Sequence, residues 1–270
     1  MFRLDNKVAV VTGGSGVLGR SMSLALARQG ATVVILARTE AKTQSVAEEI
    51  RAAGGQALGV AADVLDRASL ERAAETIVET VGRVDILVNA AGGNRPQAIA
   101  APGGASFFDL PAEALEYVFD LNFMGTLNAC QVFGRIMAGQ GEGVVLNVSS
   151  MAAQRPLTRV VAYAAAKAAI DNFTRWLSVY LSREVGPGLR VNAIAPGFFL
   201  GEQNRALLVD QTTGELTARG RQIVDHTPMG RFGEPQELDG TVIWLCSDAS
   251  RFVTGVVVPV DGGFSAYSGV

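Results

Sequence analysis

Residues 8–19 read Val8-Ala9-Val10-Val11-Thr12-Gly13-Gly14-Ser15-Gly16-Val17-Leu18-Gly19, and the order of these residue types decides the fold. Four apolar, mostly β-branched residues suit a strand covered on both faces. The glycines then end the strand, and helical spacing takes over from Leu18 to Gln29. Glycines at a strand-to-helix turn let the backbone approach a pyrophosphate, whose charge faces the helix N-terminus. Gly13, Ser15, Gly16, Val17, Leu18 and Gly19 are therefore candidates for a phosphate cradle. A glycine-rich turn alone is a weak signal, because such turns also serve tight packing. Its place after the first strand of a βαβ unit strengthens it.

The same alternation continues outward. Strands are expected at Thr32–Leu36, Ala57–Ala61, Asp85–Asn89, Gly143–Val148, Arg190–Ile194 and Val256–Val260, most of them continuously apolar. Helical spacing fills Thr39–Ala53, Arg67–Thr80, Ala112–Met137, Ala162–Glu184 and Glu234–Ser247. This alternation argues for an α/β fold: a single doubly wound parallel sheet of Rossmann type with helices on both faces. No linker or repeat divides the chain, so residues 1–270 read as one domain. Residues 201–229 break the alternation with a long polar stretch after the sixth strand. Ligands sit beyond the carboxyl ends of such strands, so this segment reads as a substrate lid within the domain.

Composition narrows the function classes. The chain is 49% hydrophobic and 18% charged over 270 residues, enough to bury a large core. A net charge of -3 provides no footprint for nucleic acid or an anionic membrane. Cys130 and Cys246 lie in apolar helical stretches with no Cys or His at ligand spacing, so neither a disulfide nor a metal site is expected. The N-terminal residues lack the apolar core of a signal peptide, and no apolar run approaches the ~20 residues that span a bilayer. A cytoplasmic location is expected.

The chemistry-bearing pattern lies downstream. Tyr163 and Lys167 are one helical turn apart, hence on one face. Free tyrosine titrates near 10, too high for easy proton exchange at neutral pH; a nearby ammonium favours the phenolate. Such a pair also arises by chance on amphipathic helices. Yet the chain has only three lysines, Lys7, Lys42 and Lys167, and no other tyrosine has one at this distance. Ser150 ends the fifth strand, thirteen residues before Tyr163, where its hydroxyl can hold a substrate oxygen.

With these residues in place, the chain resembles the short-chain dehydrogenase/reductase family over essentially its full length. The glycine turn, Asn89-Ala90-Ala91-Gly92, Asn122, Ser150, Tyr163, Lys167, Asn192, Pro196-Gly197 and Asp261-Gly262-Gly263 fall in the family's order. The resemblance implies that Tyr163 is the general acid for carbonyl reduction and the base for alcohol oxidation. Ser150 would orient the substrate oxygen, Lys167 would hold the nicotinamide ribose and lower the Tyr163 pKa, and Asn122 would anchor a relay water. Asp63 and Val64 would contact the adenine; Asn89, Ala90 and Gly92 would keep the groove open, with Pro196 and Gly197 at its far end. It also implies a homodimer or homotetramer, for which Phe173, Trp176, Leu177, Tyr180 and Leu181 supply apolar surface. Two positions depart from the family pattern. Val17 stands at the middle glycine of the turn. Gly201 stands where a Thr usually bonds the nicotinamide amide, so that contact is absent or comes from a neighbour such as Gln203.

The second strand ends Leu36-Ala37-Arg38-Thr39, with no carboxylate for an adenosine ribose diol. Arg38 can instead fork onto a 2'-phosphate, so NADP is favoured and NAD stays open. Gly92-Gly93-Asn94, Asp120–Thr126, the run from Pro196 and the final Asp261–Val270 resemble the D-mannonate oxidoreductase (fructuronate reductase) branch of the family. That branch implies a small-molecule sugar-acid substrate, with Asn94, Arg95, Arg155, Gln203, Asn204 and Arg205 as candidate contacts. A neutral polyol, gluconate or a 3-oxoacyl thioester remains as an alternative substrate, and a silent dinucleotide-binding protein as an alternative class. His226, the single histidine, reads as structural or lid-associated.

Overall fold

In a computed structural model that describes residues 1–101, 103–201, 205 and 207–269, all seven expected strands form. β1 (Val8–Thr12), β2 (Thr32–Ala37), β3 (Gln56–Ala61), β4 (Ile86–Asn89), β5 (Gly143–Val148), β6 (Leu189–Pro196) and β7 (Val257–Val260) make one parallel sheet in the order β3-β2-β1-β4-β5-β6-β7. β4 begins one residue later than the pattern suggests. The buried Asp85 carboxylate instead accepts the Val8 amide at 2.8 Å and the Arg83 guanidinium at 2.6–3.0 Å, which ties the starts of β1 and β4 together.

The strands' two-residue period sorts the core by face. Val8 and Val10 pack with Val34 and Leu36 against α3 (Arg67–Val81) and α5 (Gly125–Gln140) through Leu70, Ile77, Phe133 and Met137; Leu177 of α6 (Val161–Tyr180) joins them. Ala9 and Val11 face the other way, with Val33 and Ile35, onto α1 (Val17–Arg28), α2 (Glu40–Ala52) and α8 (Asp239–Cys246) through Met22, Leu26, Val46, Ile50, Val242 and Leu245. No helix among the described residues is long and apolar enough to cross a membrane.

Three helical expectations are refined. The stretch expected as one helix from Ala112 is interrupted: α4 (Ala112–Phe119) passes through a π turn at Asp120–Met124 before α5 begins. The Asn122 side chain is the cause. Its amide donates to Val118 O and to Gly93 O, both at 2.7 Å, and a regular turn would not aim it at the loop after β4. A second π turn, Leu181–Val185, ends α6 before Gly186. The last helix is preceded by a 3-10 turn at Pro235–Leu238, with proline in its first turn, where its missing N–H costs no hydrogen bond, and a Glu234–Glu237 capping box.

Residues 201–229 carry α7 (Ala218–Asp225), started by the Thr217 hydroxyl, which accepts the Gly220 amide at 3.0 Å. Ile223 and Leu208 pack with Met151, Phe232 and Phe264, a small core separate from the two beneath the sheet.

Candidate active site

The sheet order reverses between β1 and β4, where Thr12 pairs with Asn89. Loops leaving these two strand ends diverge and open a crevice. Thr12 Oγ1 accepts the Ala91 amide at 3.2 Å, drawing the two loops together on one side. Gly13 has φ +65, and a Cβ there would stand 2.7 Å from Ala91 N, so only glycine permits that approach.

The crevice is a groove of about 540 Å³. Gly13, Ser15, Gly16, Val17, Leu18 and Gly19 line its middle, as the sequence pattern expects of a phosphate cradle. Arg38 lies at one end with Asp63 and Val64 nearby; Ala90 and Gly92 form a wall; Ser150, Tyr163, Lys167, Pro196 and Gly197 close the other end. A groove with an open glycine floor, cations at one end and a hydroxyl pair at the other fits an extended dinucleotide. Thr39 and Lys42 also line it, and sequence reading passed over them. The signal was present: Lys42 follows Arg38 by four residues and opens α2, one of three lysines in the chain.

Asn89 and Asn122 stand behind the groove. Asn89 is buried and donates to Asn147 Oδ1 at 2.9 Å; Asn147 in turn donates to Thr174 of α6 at 2.9 Å, which locks β4, β5 and α6 together. Asn122 is fully buried, and its Oδ1 accepts the Gly93 amide at 3.2 Å. A Cβ on Gly92 would stand 2.6 Å from Asn122 Oδ1 and 3.4 Å from Lys167 Nζ, so glycine here lets both groups reach one corner.

At that corner the Lys167 ammonium donates to Val148 O at 2.8 Å and lies 5.5 Å from the Tyr163 ring centroid. Burial lowers the Lys167 pKa to about 8, and the negative charge of Asp171 acts against this. Burial likewise raises the Tyr163 phenol above its ordinary value, with the Ser150 hydroxyl working the other way. Asp171, one turn beyond Lys167, was missed in the sequence although Tyr163, Lys167 and Asp171 fall at four-residue steps. Its carboxyl is raised by burial and takes a short hydrogen bond from Ser149.

The candidate substrate contacts scatter. The Arg95 guanidinium lies 3.1 Å over the Tyr117 ring, whose hydroxyl is 3.4 Å from Arg38 Nη1, so Arg95 joins the Arg38 end of the groove. Arg155 donates to Ser265 O at 2.9 Å. Asn94 Oδ1 accepts the Arg95 amide at 2.8 Å, and Arg205 is exposed. Gln203 and Asn204 lie outside the described residues. His226 packs against Phe264 and Tyr267, with ring centroids 4.7 and 5.3 Å apart. Cys130 and Cys246 are buried thiols pushed up to about 12 by that burial. No His, Cys, Asp and Glu group among the described residues could hold a metal.

A doubly wound sheet, a glycine-floored groove at its switch point and a Ser-Tyr-Lys corner together define a dinucleotide-dependent oxidoreductase. The chain belongs to the short-chain dehydrogenase/reductase family: a family model described as enoyl-(acyl carrier protein) reductase matches residues 15–265. An uncharacterized oxidoreductase of Bacillus subtilis (strain 168), UxuB, is 53% identical, covering 99% of this chain and 98% of its own length. A Haemophilus influenza structure with bound NAD, provisionally named a D-mannonate oxidoreductase, is 44% identical, with TM-score 0.92 and coverage of 99% and 98%. A gluconate 5-dehydrogenase from Burkholderia cenocepacia J2315, solved with NADP and tartrate, is 33% identical, with TM-score 0.87 and coverage of 98% of each chain. The protein is an NAD(P)-dependent oxidoreductase.

Proposed function

We propose that this enzyme interconverts a ketone and a secondary alcohol on a sugar acid of the D-fructuronate/D-mannonate type, with NADP as the preferred cofactor. The carrying observation for the substrate is the 44% identity over 99% of the chain to the protein provisionally named a D-mannonate oxidoreductase. The bound cofactor supplies the hydride. In reduction, Tyr163 donates its proton to the carbonyl oxygen while the Ser150 hydroxyl holds that oxygen. The Lys167 ammonium, buried beside them, stabilises the phenolate left behind. In oxidation Tyr163 is the base. Both Asn122 amide hydrogens are committed to Gly93 and Val118, so a relay water there would be held by acceptor oxygens.

NADP rests on Arg38 and Lys42, which line the adenosine end as two cations, with no carboxylate at the end of β2 where a ribose diol would be held. The Haemophilus relative carries NAD and the Burkholderia relative NADP, so the relatives do not choose between them. Residues 201–229 act as the substrate lid. Turnover of D-fructuronate, 5-ketogluconate, D-fructose and a 3-oxoacyl thioester with NADPH and NADH tests the reading. The sugar acids with NADPH should lead; comparable or faster rates with the thioester or with D-fructose would overturn it.

A further inference from the structure

Three loops meet beside the Tyr163 end of the groove. The Ala100 amide, in the loop after β4, donates to Arg159 O at 3.0 Å, in the loop after β5. Thr158 Oγ1 accepts Arg219 Nη1 of α7 at 3.3 Å, and the same nitrogen reaches Gln222 Oε1 at 3.1 Å. Met151, next to Ser150, packs with Ile223 of α7. The turn at residues 157–160 and α7 therefore bracket the space in front of Ser150 and Tyr163.

The turn carries Arg159, and α7 carries Arg219. Among the described residues, neither Arg159 nor Arg219 takes part in any ion pair. Arg221, on the outer side of the same helix, pairs with Glu215 at 3.9 Å. The Arg219 pKa is lowered, first by burial and then by the charge of Arg159. Arg159 also has φ +86, a left-handed conformation that a residue with a Cβ adopts only under backbone strain. Like-charge proximity opposes this arrangement. An anion between the two groups would offset the repulsion.

We propose that Arg159 and Arg219 form the seat of the substrate's carboxylate, and that the carboxylate, bridging them, draws α7 over the mouth of the groove. The inference rests on the sugar-acid reading above and names the residues that would make it so. Of the arginines expected from sequence, Arg95 lies on the Tyr117 ring and Arg155 donates to Ser265 O. Arg159 belongs to the loop after β5 and Arg219 to α7, and the Arg219–Thr158 hydrogen bond brings the two segments together. The same anion that is recognised thus also closes the site, and neutral ketones lack the means to close it.

The measurement is kcat/KM for D-fructuronate divided by that for D-fructose, in the full chain with NADPH, for wild type, Arg159→Gln, Arg219→Gln and the control Arg221→Gln. Losing one charge-assisted contact should lower the ratio about 10–100-fold in the first two variants. The control should stay near wild type. Melting temperature and NADPH affinity show that each variant is folded. A second readout needs no turnover: D-mannonate with NADP should slow hydrogen exchange in residues 207–225 of wild type and not of Arg219→Gln. Arg159→Glu, which supplies a carboxylate in place, should slow the same amides without sugar acid. If wild type prefers the acid but the ratio is unchanged in both variants, the pair is not its seat and the sugar-acid reading survives. If wild type shows no preference for the acid, the sugar-acid reading fails and this inference falls with it.

Discussion

The methyl groups of Val17 stand where a side chain on Gly201 would begin: a Cβ built on Gly201 falls 3.3 Å from both Cγ1 and Cγ2 of Val17. These are the two positions at which the sequence departs from its family's pattern, and the fold places them in contact across the groove. The departures are therefore one change. A branched side chain at 17 fills space that a residue at 201 vacates. Gly201→Thr alone should overpack this contact at a cost of about 1–3 kcal/mol and weaken dinucleotide binding. Val17→Gly/Gly201→Thr should recover much of the loss. A double-mutant cycle on dinucleotide Kd checks this, and additive effects would show the residues to be independent.

Tyr163→Phe removes the proposed proton donor and leaves the ring in its packing. Turnover should fall roughly 10²–10⁴-fold, with dinucleotide binding little changed. Single-turnover rates and fluorescence titration separate the two; near-normal hydride transfer would remove Tyr163 from its role.

Arg38 and Lys42 together should discriminate the cofactors. Arg38→Ala should raise the Kd for NADPH about tenfold, the worth of one charge-assisted contact, and barely move that for NADH. Lys42→Ala should act in the same direction, and the double variant should approach equal affinities. Matching losses for both cofactors in titration would show that neither side chain reads the 2'-phosphate.

Lys167 is buried and its pKa lowered to about 8 from 10.5, so the folded chain releases a proton there that the unfolded chain still holds. Between pH 8 and 10.5 the unfolded state binds more protons, and stability relative to Lys167→Met should rise with pH across that window. With three lysines in the chain, methyl-labelled NMR can follow each one. One resonance should titrate near 8, and Asp171→Asn should move it lower by removing the opposing charge. A Lys167 resonance at the ordinary lysine value would contradict this.

On α6, Trp176, Val179 and Tyr180 are 55%, 58% and 45% exposed, and Trp176 stacks between Phe173 and Tyr180. Leu177 and Leu181, expected to share that surface, are instead buried within the subunit. A homodimer or homotetramer would cover the aromatic stripe. Light scattering should show Trp176→Glu shifting the mass downward; a monomeric wild type at micromolar concentration would end this proposal.

Much of this protein is legible in one dimension because the relevant physics is local. Two-residue and 3.6-residue periods report burial directly, so all seven strands were readable. Gly13 and Tyr163-Lys167 declare themselves because a positive φ and a helical repeat are set by near neighbours. Side-chain partners across loops are another matter. Nothing near Arg95 in sequence says that its guanidinium will lie on Tyr117, and nothing near Arg155 points to Ser265 O. Asn122 bends its own helix only because Gly93 is opposite it. The contact of Val17 with Gly201, and the hydrogen bond of Arg219 with Thr158, join segments far apart along the chain. Only the packed sheet, by bringing its strand ends to one crevice, decides which of these side chains meet, and that meeting sets what the site can bind.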